Sequence, residues 1–134
     1  MMRIGDRASV TRSFSREEAA AFLGLAEAAA AEIDRVPEPL VGGLVSYLLG
    51  VRLPGFGTNY LKQALDLLLP APLDVPLTAS VEVTRLRPDK HLCDLATLCT
   101  DPDGRVLCRG RALVLVKDVG KDVGRAGLTE RAEA

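Results

Sequence analysis

Tryptophan is missing from this 134-residue chain, histidine occurs once and cysteine three times. Each scarcity removes a class of function. A single imidazole, His91, leaves little side-chain acid–base chemistry near neutral pH. Cys93, Cys99 and Cys108 are odd in number and show no CxxC spacing, which argues against a disulfide framework and against a zinc site. They fall in strand-like segments and read as buried free thiols, since free cysteine packs as a small hydrophobe. Charge of one sign is not in excess: 17 Lys and Arg stand against 18 Asp and Glu, for a net charge of −1. With no basic stripe, nucleic acid is not an expected partner. No apolar run approaches the roughly 20 residues that a membrane-spanning helix needs. The opening MMRIGDRASV lacks the apolar core of a secretion signal. The chain is therefore expected to work in the cytoplasm, away from membranes. Nothing in it calls for a metal or an organic cofactor.

What is present is a globular composition, 48% hydrophobic, in a length that suits one domain with a real core. Residues 8–14, ASVTRSF, alternate and read as a short strand. SREEAAAFLGLAEAAAAEID follows, with Ser15 and Glu18 at capping-box spacing and a run of strong helix formers. Phe22, Leu25, Ala26, Ala29 and Ile33 recur at helical spacing as its buried face. Exposed glutamates are the ordinary reading of Glu27 and Glu32, against a catalytic one. Val36-Pro37-Glu38-Pro39 ends that helix, because each proline restricts the residue before it. Pro39 then suits the first turn of a second helix, LVGGLVSYLLG. This helix is apolar on nearly every side and is expected to be enclosed. Gly42 and Gly43 cost it stability, so a sheet, a partner helix or a ligand should approach there.

PGFGT (54–58) is a turn, and NYLKQALDLLLP reads as a long strand whose alternation Tyr60, Gln63 and Asp66 interrupt. Three strands follow at 78–87, 91–100 and 105–117, joined by PDK and DPDG hairpin turns. Residues 1–117 form the domain. Residues 118–134, polar and without apolar periodicity, form a tail. One sheet of about five antiparallel strands around one apolar helix is a two-layer α+β fold. The long strand after the helix is an edge that a second copy can pair, and two-fold dimers are the commonest oligomers.

From GDRASVTRSF to RALVLV the chain resembles the MaoC-like (R)-specific enoyl-CoA hydratases. The most specific stretch is LLGVRLPGFGTNYLKQ, where that family has LLG, then LPGxGT, then a strand opening Tyr-Leu. The resemblance implies a dimeric hotdog fold that binds acyl-CoA or acyl-carrier-protein thioesters beside the central helix. It also implies an Asp-x-Asn-Pro-x-His segment whose Asp and His add or remove water. Here the residues between Leu25 and Val36 contain no Asn-Pro and no His. The family's His-Gly lines up with Pro37-Glu38, and a serine one turn into the helix lines up with Gly43. The resemblance thus points to a divergent hydratase or dehydratase-like enzyme. The alternatives are a non-catalytic thioester-binding partner of a dyad-bearing hotdog subunit, a carboxylate-based thioesterase, or a small-ligand sensor.

Glu38 is the candidate catalytic carboxylate, since the helix N-terminus favours its ionised form and so suits a base. Its bland reading is a helix-capping charge. His91, after the PDK turn, reads as surface. The candidate thioester-binding residues are Val36, Leu40, Gly42, Gly43, Gly55, Phe56, Gly57 and Tyr60. The glycines of PGFGT either serve a turn at positive φ or offer backbone N–H groups to a thioester carbonyl. Phe56 and Tyr60 are read as pocket walls or as core.

Overall fold

The computed structural model describes residues 2–24 and 27–119, with the side chains of residues 27 and 28 left out of the account. Strand β1 spans Arg7–Arg12, helix α1 Arg16–Leu23, the single turn α2 Glu27–Ala30 and helix α3 Glu38–Tyr47. Strands β2 (Asn59–Leu67), β3 (Leu77–Arg87), β4 (Leu92–Thr100) and β5 (Val106–Leu115) follow. They form one sheet in the order β1-β3-β4-β5-β2, antiparallel throughout. This is the expected five-stranded hotdog arrangement, with a central helix against the sheet's inner face. Of the expected tail, 118–134, all but residues 118 and 119 lie outside the described residues.

Alternation decides which face is inner. Leu77, Ala79, Val81 and Val83 of β3 point inward with Cys93, Leu95, Thr97 and Cys99 of β4, and all are buried. From the helix side Val41, Leu44, Val45, Leu48 and Leu49 complete the core. Cross-strand register sets whole rows, one of them Val10, Ala79, Cys99, Cys108 and Leu67. All three cysteines are buried and free. β2 behaves differently. It pairs only with β5, carries a register shift between Tyr60 and Lys62, and is exposed along nearly its whole length, which explains its poor alternation.

Gly110 lets β2 lie this close. A Cβ on Gly110 would strike the Ala64 carbonyl oxygen and sit 2.8 Å from its carbon and 3.0 Å from the Leu65 Cα.

Three sequence expectations are corrected. The alanine-rich stretch is not one helix with a Phe22–Ile33 buried face. Gly24 takes φ 68°, and its N–H bonds back to the Ala20 and Ala21 carbonyls, ending α1 after eight residues. That leaves Phe22 half exposed and buries Ala19 and Ala20 instead, while Leu25 and Ala26 lie outside the described residues. The central helix has Pro37 as its cap and Pro39 in its first turn as expected, but its α-helical part stops at Tyr47, and the LLG expected to close it lies in a wider π turn over Leu48–Arg52. Nor is it enclosed on every side: Gly43 is exposed and Tyr47 is 40% exposed.

Candidate functional site

The start of α3 is positioned by its neighbours. The Val36 N–H donates to the Ala71 carbonyl at 2.8 Å, tying the segment before the helix to the segment after β2. Pro37 and Pro39 then fix the backbone, so Glu38 enters the first helical turn. Glu38 is exposed and stands on the rim of a cleft of about 210 Å³. Arg35 and Leu67–Pro70 share that rim. Val36, Val41, Ala71, Leu107 and Cys108 form a buried floor.

A second concavity, a groove of about 340 Å³, runs along the other side of α3. Leu40, Gly43, Leu44 and Tyr47 of the helix face Val10, Arg12 and Phe14 across it. Its aromatic walls each carry a guanidinium. Arg12 lies 4.3 Å from the Phe14 ring centre and is ion-paired to Glu18, and Arg52 lies 5.6 Å from the Tyr47 ring centre.

The sequence candidates are thereby divided. Val36 and Glu38 meet in the cleft, and Leu40 and Gly43 meet in the groove. Gly42 lies toward β2, where a Cβ would find the Leu65 side chain at 3.7 Å, an ordinary contact. Nothing lies within 4 Å of a Cβ built on Gly43. So, among the described residues, the close approach expected at both glycines is made by Leu65 at Gly42 and by nothing at Gly43.

The PGFGT loop uses its glycines for conformation: Gly55 takes φ 100° and Gly57 takes φ 97°. The Gly55 N–H donates to the Leu49 carbonyl at 3.1 Å, and the Thr58 hydroxyl donates to the Gly55 carbonyl at 2.7 Å. The Gly55 amide is therefore already engaged. A side chain on Gly57 would collide with the Asp118 carbonyl group, so close approach of the chain after β5 requires glycine there. Phe56 is half-buried in the loop. The Tyr60 hydroxyl donates to the Ser46 carbonyl at 3.0 Å, bracing the edge strand against the helix. His91 is exposed in the turn before β4, with φ 57°.

Burial raises the thiol pKa of Cys93 and Cys99 to about 11, and burial with the Asp66 charge raises that of Cys108. The wall of the cleft is thus a neutral thiol, not a thiolate. Among the described residues no three His, Cys, Asp or Glu side chains gather as metal ligands, and no helix is long and apolar enough to cross a membrane. Sequence reading missed the cleft floor from β5 and the residues after β2. The signal was the leucine run Leu67–Leu69 closed by Pro70, whose apolar side chains remain nearly half exposed at the end of an edge strand.

No family model matches the chain. Individual proteins do. The (R)-specific enoyl-CoA hydratase of Aeromonas caviae is 36% identical over 126 residues, covering 84% of this chain and 94% of that protein. The solved structure of the Aeromonas (R)-hydratase superposes with a TM-score of 0.75 at 35% identity, covering 84% of this chain and 96% of the other. The unliganded R-hydratase of Pseudomonas aeruginosa gives 0.74 at 28%, covering 85% and 81%. The fold is shared more widely, as by the ChsH1–ChsH2 complex of Mycobacterium tuberculosis at a TM-score of 0.69 and 15% identity, covering 86% and 98%. The fold and the helix-flanking cleft thus define a MaoC-like hotdog protein. More narrowly, the chain belongs to the (R)-specific enoyl-CoA hydratase family. Its length differs within the match: 84% of 134 residues is about 113, so about 13 of the 126 aligned positions have no residue of this chain opposite them.

Proposed function

We propose that this protein binds acyl-CoA or acyl-carrier-protein thioesters and hydrates the enoyl forms with Glu38 in place of an Asp/His pair, as a homodimer in the cytoplasm. The observation that carries this reading is the position of Glu38, a carboxylate at a helix N-terminus on the rim of an apolar-floored cleft. A carboxylate so placed accepts a proton from water as the hydroxide bonds to C3 of the enoyl chain. The carboxyl group so formed then returns the proton to C2, leaving the carboxylate restored. The acyl chain lies against Val36, Val41 and Cys108. The groove along Leu40 and Gly43 is the second surface available to the substrate. The thioester carbonyl would meet the PGFGT loop through backbone groups other than the Gly55 N–H.

A second reading has its own support. About 13 of the positions aligned with the Aeromonas relative have no residue of this chain opposite them, and its only histidine is exposed far along the chain from Glu38. Both facts favour a thioester-binding subunit whose catalytic pair comes from a second, dyad-bearing hotdog chain.

Loss of enoyl absorbance from crotonyl-CoA, with free thiol followed in parallel, separates the readings. The first predicts hydration by the purified protein and a loss of at least 100-fold in kcat for Glu38→Gln, on the order of a general base's contribution. Thiol release marks a thioesterase. Silence in both channels, with acyl-CoA binding retained, supports the partner subunit.

A further inference from the structure

Three cysteines allow three pairings, and the strand register leaves one. Cys99 of β4 stands directly opposite Cys108 of β5. Residues so placed in an antiparallel pair have Cα atoms about 4.5–5.5 Å apart, inside the roughly 4.4–6.8 Å that a disulfide spans. Both side chains lie on the inner face of the sheet, Cys99 fully buried and Cys108 1% exposed. The register steps just beyond them, to Thr100 opposite Val106, so Leu107 is an extra residue in β5 beside the pair. Burial first, and the neighbouring Cys108 second, raise the Cys99 thiol pKa to about 11, so Cys99 already senses its neighbour. Cys93 is excluded. It lies six residues from Cys99 along β4, and it faces Val114, six residues from Cys108 along β5. Either separation is about 20 Å.

The two thiols differ in access. Cys108 lines the cleft of about 210 Å³ beside Glu38, and Cys99, one strand further in, does not. A cleft of that size has room for several waters, and hydrogen peroxide is little larger than one. We infer that Cys108 and Cys99 are a peroxide-oxidisable pair, with Cys108 the thiol that meets the oxidant and Cys99 the thiol that resolves it. The Cys108 sulfur bonds to one peroxide oxygen as the O–O bond breaks, and the departing hydroxide takes the thiol proton and leaves as water. Cys108 is then a sulfenic acid. The Cys99 sulfur attacks it: the S–S bond forms, the S–O bond breaks, and the hydroxyl leaves with the Cys99 proton as a second water. Two electrons pass from the thiol pair to one peroxide. Because burial keeps both thiols neutral, the reaction is slow and answers to sustained exposure. The inference stands apart from the acyl-thioester reading.

Hydrogen peroxide applied to the native full chain, then alkylation of the remaining thiols in denaturant and tryptic mapping, tests it. Cleavage after Lys90, Arg105 and Arg109 puts Cys93 and Cys99 in peptide 91–105 and Cys108 in peptide 106–109. Wild type should fall from three free thiols to one. The two peptides should be joined by a link that dithiothreitol opens, with the alkyl label on Cys93. In Cys99→Ala, dimedone should trap Cys108 as its sulfenic acid. In Cys108→Ala, Cys99 should stay a thiol at the same dose. Cys93→Ala should link as wild type does. The wild-type map decides the pairing by itself if a variant fails to fold. All three thiols still free, long after free cysteine in the same solution is fully oxidised, would overturn the inference. So would Cys108 driven to an unlinked sulfinic acid, or a link made through Cys93.

Discussion

The three thiols are the groups whose ionisation the fold opposes most. Cys93 and Cys99 titrate near 11 in the folded chain against an ordinary 9.0, chiefly because burial penalises the thiolate. Below pH 9 they are neutral in both states and cost nothing. Between pH 9 and 11 the unfolded chain ionises while the folded chain does not, so stability falls as pH rises, by roughly 2–3 kcal/mol for each thiol at the top of that range. Denaturant midpoints of the reduced protein at pH 8 and pH 10.5 should show the loss, and Cys99→Ala should remove part of it. A midpoint equally steep in pH without Cys99 would rule that thiol out as a cause. Gly110 is the other decisive single position. A methyl there meets the β2 backbone rather than a side chain that could turn away, so Gly110→Ala should cost roughly 1–3 kcal/mol. Hydrogen exchange should quicken first along β2, whose strand partner is β5 alone.

At the scale of elements, what the sequence showed tracked how local its cause was. The capping box is contained within four residues and is present as expected: the Glu18 N–H donates to the Ser15 hydroxyl at 3.0 Å, and the Ser15 N–H to the Glu18 carboxylate at 3.1 Å. Ser15→Ala should therefore cost about 1 kcal/mol, read from thermal or denaturant midpoints. Glu18 also titrates low, held ionised by the Ser15 N–H and by Arg12, so the bond weakens as acid protonates it below its ordinary 4.5. The strands of the meander and the LPGFGT turn were equally legible, because alternation and glycine chemistry are short-range. The end of α1 was not. Gly24 sits inside a run of strong helix formers, and propensity alone does not reveal that its backbone takes the left-handed turn. The site was legible in half. Prolines marked where Glu38 enters the helix, but the cleft floor comes from β5 and from residues after β2, more than 30 positions away. Only pairing of the two strands brings Cys108 and Leu67 opposite each other.

The whole molecule exposes one edge that a monomer does not explain. Tyr60, Leu61 and Leu67 of the nine-residue strand β2, and Leu68 and Leu69 just after it, are 41–50% exposed, and among the described residues no strand pairs with the outer side of β2. An edge of this length and apolarity is ordinarily blunted by charge or covered. In the homodimer proposed above, a second copy would cover it by antiparallel β2–β2 pairing about a two-fold axis, joining two five-stranded sheets. Light scattering should then give about twice the 14.3 kDa chain mass. Lysines at Leu67 and Leu69 together should return the single-chain mass. Leu67, Leu68 and Leu69 also form the rim of the Glu38 cleft, so in that dimer association and ligand binding would share side chains. Acyl-CoA affinity of the wild type should therefore weaken on dilution through the dimer dissociation range, and octanoyl-CoA should in turn hold the dimer together at lower protein concentration. Affinity constant across that range, in a protein shown to dissociate within it, would place the ligand wholly inside one protomer and separate the edge from the cleft.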